Sequence, residues 1–381
     1  MTVQERFPTT GACGSRAGAR VVVLGGGYAG QLAAQALAVR TDAAVTLVDE
    51  ADRFVQRVRL HEVAAGSAAA APRYTDLLAG TGVRFVHDRA EALDLAARRV
   101  DLRDGGALSY DLLVHALGSH ADPHALPGPV EDVSTATGAA RLRDRLAAGA
   151  RRVAVVGAGL TGIELATELA ERGHTVTLVT DGTLGADLSE RGARHVRRVC
   201  GRLGVVVREG VRAVAADDAG LDLADGTRVA ADVVVGTVGF AVPDLARRAG
   251  LAVDDDGRVL VRPDLRSTSH ADVLAVGDAA APTRPDGTVL RMACATGLPQ
   301  AQQAARTVAA LLAGTEPAPL RFRYALRCVS LGRRDGLVQF VHADDSPREA
   351  VLTGRLAAAV KEAIVVNALR VQRHPRIPTS A

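Results

Sequence analysis

The sequence predicts an α/β fold: two doubly wound, mostly parallel sheets, the second inserted into the first, followed by a small α+β domain. Three observations predict it. An apolar strand, a glycine-rich loop and an apolar helix start occur in that order at 21–30 (VVVLGGGYAG) and again at 153–164 (VAVVGAGLTGIE). Each is followed by a further apolar run, 44–48 and 175–179, and such strand–helix–strand alternation is the pattern of parallel sheets with crossover helices. A last short apolar run, in VLAVGDAA at 273–280, comes after the second repeat has closed and returns the chain to the first sheet.

In order along the chain, residues 1–18 read as a flexible tail. The first repeat reads as strand 19–24, loop 25–27, helix 28–40 and strand 44–48. Segment 54–66, FVQRVRLHEVAAG, reads as helical or irregular, and a strand follows at 83–87. Residues 98–119 read as a strand, an Asp-Gly-Gly turn and a second strand, whose apolar run 112–117 stops at Gly118. The prolines of ADPHALPGPVED make 121–132 a linker. The second repeat reads as strand 152–156, helix 160–172 and strand 175–179. It goes on through helix 187–203, strands 205–208, 211–215 and 221–223, and a closing strand 232–236. Beyond 263 come DVLAVGDAA, a helix near 296–313, strands across 322–342 and a last helix near 353–371. The first domain is therefore expected at 19–148 and 264–320, the inserted one at 149–263, and the small one at 321–381.

Composition narrows the function. Aromatics make up 3% of the chain and hydrophobic residues 48%, so the core is aliphatic. Positive charge is almost all arginine, Lys361 being the only lysine, and no basic block is interleaved with aromatics. Nucleic acid is therefore not an expected partner. Cys13, Cys200, Cys294 and Cys328 lie far apart without CxxC or metal-ligand spacing. No metal site is expected, and a reduced cytoplasmic setting is. Residues 21–39 are uncharged, yet three adjacent glycines and two glutamines suit neither a leader nor a membrane span.

The two loops carry the chemistry. In a G-x-G-x-x-G loop the first glycine allows the tight turn, the second lets backbone approach a diphosphate, and the third lets helix pack on strand. The helix N-terminus adds unpaired N–H groups and a partial positive charge. Gly25, Gly27 and Gly30 fill these places, and Asp49 ends the next strand, where a carboxylate accepts from ribose hydroxyls. Gly157, Gly159 and Gly162 repeat the arrangement, with Glu164 two residues on. Thr180 stands where the first repeat has Asp49, and Asp181 comes one position later. No arginine for a 2′-phosphate lies between 180 and 187, which favours NADH over NADPH. A vestigial second loop that holds nothing remains open.

With GGGYAG at 25–30, YDLLVHALGS at 110–119, GAGLTGIE at 157–164 and VLAVGDAA at 273–280, residues 18–340 resemble the flavoproteins with two Rossmann-like dinucleotide-binding domains. This is the pyridine-nucleotide oxidoreductase superfamily, and the chain is most similar to type II NADH dehydrogenases, ferredoxin-reductase-like enzymes and apoptosis-inducing-factor-like flavoproteins. The resemblance implies FAD in the first loop and NAD(P)H in the second. It assigns Gly25, Gly27, Tyr28, Ala29, Gly30, Asp49, Glu50, Arg57, Gly118, Gly277, Asp278, Pro299, Gln300 and Ala301 to FAD. Asp278 would hold the ribityl chain. Helix 296–313, with Pro299 in its first turn, would point its positive end at the flavin pyrimidine. Gly157, Gly159, Leu160, Thr161, Gly162, Glu164, Thr180 and Gly239 would hold the nicotinamide dinucleotide.

The resemblance also implies the reaction: hydride passes from nicotinamide to flavin N5, and electrons go on to a quinone or another small acceptor. No side-chain acid or base is required for the first half, since the cofactor carries the chemistry. Candidates for supporting roles are Glu164, which orients the nicotinamide or is simply a carboxylate near a helix dipole, Cys294, His61 as proton donor, and Arg59. The chain departs from its relatives in two places. The C-x4-C pair of disulfide reductases is missing from 44–66. The proline–leucine-rich pocket segment of type II dehydrogenases is replaced by one bearing Arg57, Arg59, His61 and Glu62. That suits a polar or acidic acceptor, unless these charges pair with each other or with FAD phosphates. Two alternatives stay open: a flavin-dependent dehydrogenase or oxidase that leaves the nicotinamide site unused, and a non-enzymatic redox sensor. The last helix has an apolar face without aromatic anchors, so a homodimer through the C-terminal domain is expected rather than peripheral membrane contact.

Overall fold

The computed structural model describes residues 18–149 and 151–379. The expected tail falls, Gly18 apart, outside them. The chain divides into two compact units.

The first unit comprises residues up to Asp52, Tyr74–Gly118 and Asp244–Arg321. Its centre is a five-stranded sheet in the order Val273–Ala275, Leu112–His115, Arg20–Leu24, Ala44–Asp49, Arg84–His87, every pair parallel. Val21 to Leu24 are buried on both faces, as a covered parallel sheet demands. Helix Tyr28–Arg40 packs against helix Cys294–Leu312 on this sheet. Gly30 to Leu37 are all buried, so this helix is apolar all round, Gln31 and Gln35 excepted. Gln35 Nε2 donates to Leu77 O at 2.9 Å, which satisfies its buried amide. A small antiparallel sheet, Ala90–Asp94, Arg99–Leu102 and Ala107–Ser109, completes the unit; its first strand was not foreseen.

The second unit comprises Arg53–Arg73, Ser119–Pro243 and residues from Phe322 onward. Its parallel sheet runs Val206–Arg208, Thr175–Val179, Arg152–Val156, Val233–Gly236, Val130–Asp132. Two antiparallel sheets accompany it. One is Ala213–Asp217, Gly220–Leu223 and Arg228–Ala230; the other is Leu326–Ser330, Gly336–Val341 and Pro347–Thr353. The latter leads into helix Gly354–Arg373. One core joins Leu60 and Ala64 to Leu142, Val155, Leu178, Val199, Val329 and Leu337.

The structure differs from the sequence reading in further places. Residues 53–73 and 119–148, expected with the first domain, lie in the second unit, as does the segment from Phe322 onward, expected as a domain of its own, and 244–263, expected with the insert, lie in the first. The physical reason is that Val130–Asp132 pairs with Val233–Gly236, and Leu60, Leu142 and Leu146 join the second core. The linker is therefore partly a strand. Helix Ala136–Ala147, capped by Thr135 Oγ1 accepting from Gly138 N at 3.0 Å, was not foreseen. Helix Cys294–Leu312 begins two residues earlier than expected, which leaves Pro299 in its second turn. Thr296 Oγ1 donates to the carbonyls of Arg291 and Ala293 there and steadies the helix start.

Candidate active site

In the first unit the glycine loop is built by close approach. Gly25 has φ +94°, and a Cβ on it would stand 2.5 Å from Ala116 O. A Cβ on Gly30 would stand 1.8 Å from Gly25 O, so only glycine lets the helix start there. Gly27, between them, faces open space. Asp49 ends the adjacent strand, and its carboxylate accepts from Gly26 N at 2.5 Å and from Ala51 N at 2.8 Å. Burial raises its pKa, while those two N–H groups pull the other way. Tyr74, which sequence reasoning missed, is buried and donates from its hydroxyl to Gly26 O at 2.8 Å.

Gly277 and Asp278 form a short turn after strand Val273–Ala275. Gln300 Oε1 accepts from Gly277 N at 2.8 Å and ties the long helix to that turn. Ala29 packs close to Gly277 and Gly297, so the loop, the turn and the helix start converge. Ala301 is buried beside Gln300 and Pro299. Gly118 has φ +68° and follows the strand Leu112–His115. Burial, then the nearby Asp278 carboxylate, pushes the Cys294 thiol up, so it is no thiolate at neutral pH. Glu50 does not join this cluster: it is held on the surface by Arg103 at 3.1 Å and Arg89 at 3.6 Å.

The second unit repeats the loop. Gly157 has φ +108°, and a Cβ on it would meet Val238 at 2.6 Å; a Cβ on Gly162 would stand 1.8 Å from Gly157 O. Gly159 again faces open space. A cavity of about 160 Å³ opens beside it, with Gly159, Leu160, Thr180, Gly182, Thr183 and Asp187 in its wall. Thr180 does not copy Asp49: its Oγ1 accepts from Gly182 N at 3.2 Å, and its own N–H donates to Arg208 O. Gly239, at φ +68°, packs against Ala125. Arg57 donates from Nη1 to Ser119 O at 2.6 Å and to Ser119 Oγ at 3.0 Å, and lies over the Phe240 ring.

One turn into the helix that the loop opens, Glu164 gathers a buried polar cluster. Its Oε1 accepts from Ser330 N at 3.1 Å and from Lys361 Nζ, and its Oε2 lies 3.7 Å from His61 Nδ1. Ser330 Oγ is 3.3 Å from His61 Nε2 and 3.1 Å from Lys361 Nζ. Burial, then the cations Lys361, Arg333 and Arg59, hold His61 well below the usual imidazole range, so it is neutral. Burial draws the Lys361 ammonium down to about 7. Arg59 pairs with Glu62 at 3.1 Å and with Glu362, and Arg333 with Glu62 and Glu168 at 3.0 Å each. The charges of segment 54–66 therefore pair mainly with one another and with the C-terminal segment. Sequence reasoning missed Lys361, Ser330 and Arg333; the one available signal was that the chain has a single lysine.

The two loops share one geometry, each with open space at its middle glycine. A family model described as pyridine nucleotide-disulphide oxidoreductase matches residues 19–307. The chain belongs to that family. An NADH dehydrogenase-like protein of Mycobacterium tuberculosis is 32% identical over 374 residues, covering 91% of this chain and 92% of that protein. An alternative NAD(P)H-ubiquinone oxidoreductase of Arabidopsis thaliana is 27% identical over 376 residues, covering 84% and 72%. The solved structure of a sulfide:quinone oxidoreductase from Aquifex aeolicus superposes with TM-score 0.81 at 21% identity, covering 94% and 92%, and shares the fold. As a member of this family the chain is an FAD-dependent NAD(P)H oxidoreductase: hydride passes from nicotinamide to flavin, and electrons go on to a quinone or other small acceptor. Among the described residues no helix is long and apolar enough to cross a membrane.

Proposed function

We propose that the first cradle seats FAD and the second seats NADH, in preference to NADPH. The observation that carries this is the second loop, which repeats the first down to the open face at Gly159 and has a cavity beside it. In the first cradle the N–H groups of the Gly25–Gly30 loop would take the FAD diphosphate, Asp49 a ribose, and Asp278 the ribityl chain. Bound FAD supplies the hydride acceptor and the route by which electrons leave. In the second, Gly157, Gly159, Leu160, Thr161 and Gly162 would take the NADH diphosphate. Asp187 lines the cavity and no arginine does, which disfavours a 2′-phosphate. Glu164 holds Lys361, and an ammonium titrating near 7 can give or take a proton at neutral pH.

The acceptor is proposed to be a quinone or a comparable small molecule, a reading the Arabidopsis relative's name supports. A homodimer is proposed through the C-terminal segment, where Phe340, Leu356 and Val366 are exposed, and a cytoplasmic setting with it. Sedimentation of the purified chain tests the dimer. The main test is anaerobic: NADH and NADPH are added separately to the yellow protein while the flavin band near ~450 nm is followed. NADH should bleach it at lower concentration than NADPH. Bleaching by neither would overturn the reading of the second cradle.

A further inference from the structure

The wall of the cavity beside Gly159 is largely one loop, Thr180–Leu188, between strand Thr175–Val179 and helix Glu190–Leu203. Leu184 and Leu188 anchor it in the core of the second unit. Two ion pairs of the same unit grip its backbone. Glu209 Oε1 accepts from Leu184 N at 2.5 Å. Arg197, on the helix, closes on the same residue: both of its Nη atoms donate to the Glu209 carboxylate at 2.7 Å, and Nη2 reaches Leu184 O at 3.4 Å. Further along the loop, Arg327 of strand Leu326–Ser330 donates from Nη1 to Asp187 O at 2.8 Å. Asp345 holds that guanidinium through Nε at 3.1 Å and Nη2 at 2.9 Å, and both side chains are nearly buried. These four side chains are not among the described residues that wall the cavity. An exposed pair such as Arg197–Glu209 adds little to stability, whereas a forked guanidinium–carboxylate contact fixes geometry.

We propose that Arg197–Glu209 and Arg327–Asp345 are positioning pairs for the adenosine half of the nicotinamide dinucleotide: they hold loop Thr180–Leu188 in the shape that receives it. The proposal rests on the reading that the second cradle seats NADH. The adenosine half belongs here by the logic of the repeat. Thr180 ends the second strand of its repeat as Asp49 does in the first, and in such folds that strand end meets the adenosine ribose. Thr180 brings no carboxylate to the ribose hydroxyls, so the backbone and shape of the loop must supply the grip. A loop tied in its bound shape beforehand spares the binding step the cost of ordering it. The two pairs do this from outside the cavity, one at Leu184 and one at Asp187.

The test uses the full-length, flavin-loaded protein and two probes that divide the dinucleotide: ADP-ribose, which lacks the nicotinamide, and reduced nicotinamide mononucleotide, which lacks the adenosine. ADP-ribose should bind the wild type in calorimetry and compete with NADH. In Glu209→Ala its affinity should fall about fivefold or more, and KM for NADH should rise as much with a smaller change in kcat. The ratio of kcat/KM for NADH over the mononucleotide should fall with it. Glu209→Gln, which keeps an oxygen for Leu184 N–H, should restore part of the loss. Arg327→Met should act in the same direction, and Arg327→Lys should restore part of that. Glu209 is partly exposed, so its removal strands no buried charge and the variant should fold, as its flavin band and melting temperature will show. An ADP-ribose affinity unchanged in Glu209→Ala and Arg327→Met, or equal losses with NADH and the mononucleotide, would overturn the proposal. If NADH bleaches the flavin but ADP-ribose does not bind the wild type, the positioning pairs fail and the cradle reading stands. If NADH does not bleach it and ADP-ribose does not bind, the cradle reading itself fails.

Discussion

Lys361 Nζ donates to Glu164 Oε1 across 197 residues of chain, joining the last helix to the helix of the second cradle. Both side chains are nearly buried. Removing one partner of such a pair strands a charge away from water, which typically costs about 3–5 kcal/mol. Lys361→Met should therefore lower stability by that order. Glu164→Gln should cost less, because its amide oxygen still accepts from Ser330 N–H. Urea unfolding of both single variants and the double variant checks this, the double variant being expected closer to wild type than Lys361→Met alone.

His115 tests the first unit's response to acid. It sits in the middle of the parallel sheet, opposite Leu24 and Ala275, and its ring nitrogens have no hydrogen-bond partner among the described residues. Burial draws its pKa from 6.5 to about 4. Between those values the unfolded chain binds more protons, so stability present above pH 6.5 is lost as pH falls toward 4, by about 3 kcal/mol at most. His115→Leu should flatten that decline and raise stability across the window. Melting temperatures taken at several pH values would show it, and an unchanged slope would refute it.

Alanine at the glycines should separate folding from binding. Gly30→Ala and Gly162→Ala place a Cβ 1.8 Å from a carbonyl oxygen and should unfold or distort their loops. Gly27→Ala and Gly159→Ala meet no protein atom within 4 Å and should fold. Gly27→Ala is expected to purify with little colour. Gly159→Ala is expected to stay yellow and show an NADH KM raised about tenfold or more, read by steady-state kinetics.

Tyr74→Phe deletes the hydroxyl that donates to Gly26 O. The stability cost should be about 1 kcal/mol, one buried hydrogen bond. FAD should also dissociate faster, since the carbonyl on the loop's outer turn is no longer held. Release of flavin fluorescence on dilution measures it.

Both glycine loops were legible in the sequence because their signals are local: apolar strands of five residues and glycines at fixed spacing, with an acid at the next strand end in the first repeat alone. The polar cluster was not. His61, Glu164, Ser330 and Lys361 lie on four separate elements, and only tertiary packing brings them together. Helix Ala136–Ala147 carried its own signal in Thr135, but the prolines upstream masked it. Pro299 drew the expected helix start too late, because a proline usually marks a first turn and here stands in the second. Arg57 and Glu50, drawn toward FAD by resemblance, are engaged by Ser119 and by surface arginines.

The first sheet's edge strand, Val273–Ala275, pairs with Leu112–His115 and lies some 250 residues after the opening strand. On the ribosome the earlier strands emerge with that edge unpaired, and they must wait while Ser119–Pro243, the largest segment of the other unit, is synthesised. Such distant pairing makes for slow folding and a nascent chain prone to sticking. A transcript broken anywhere before codon 273 would therefore yield an N-terminal fragment with a raw sheet edge, and such fragments should need chaperones or be degraded.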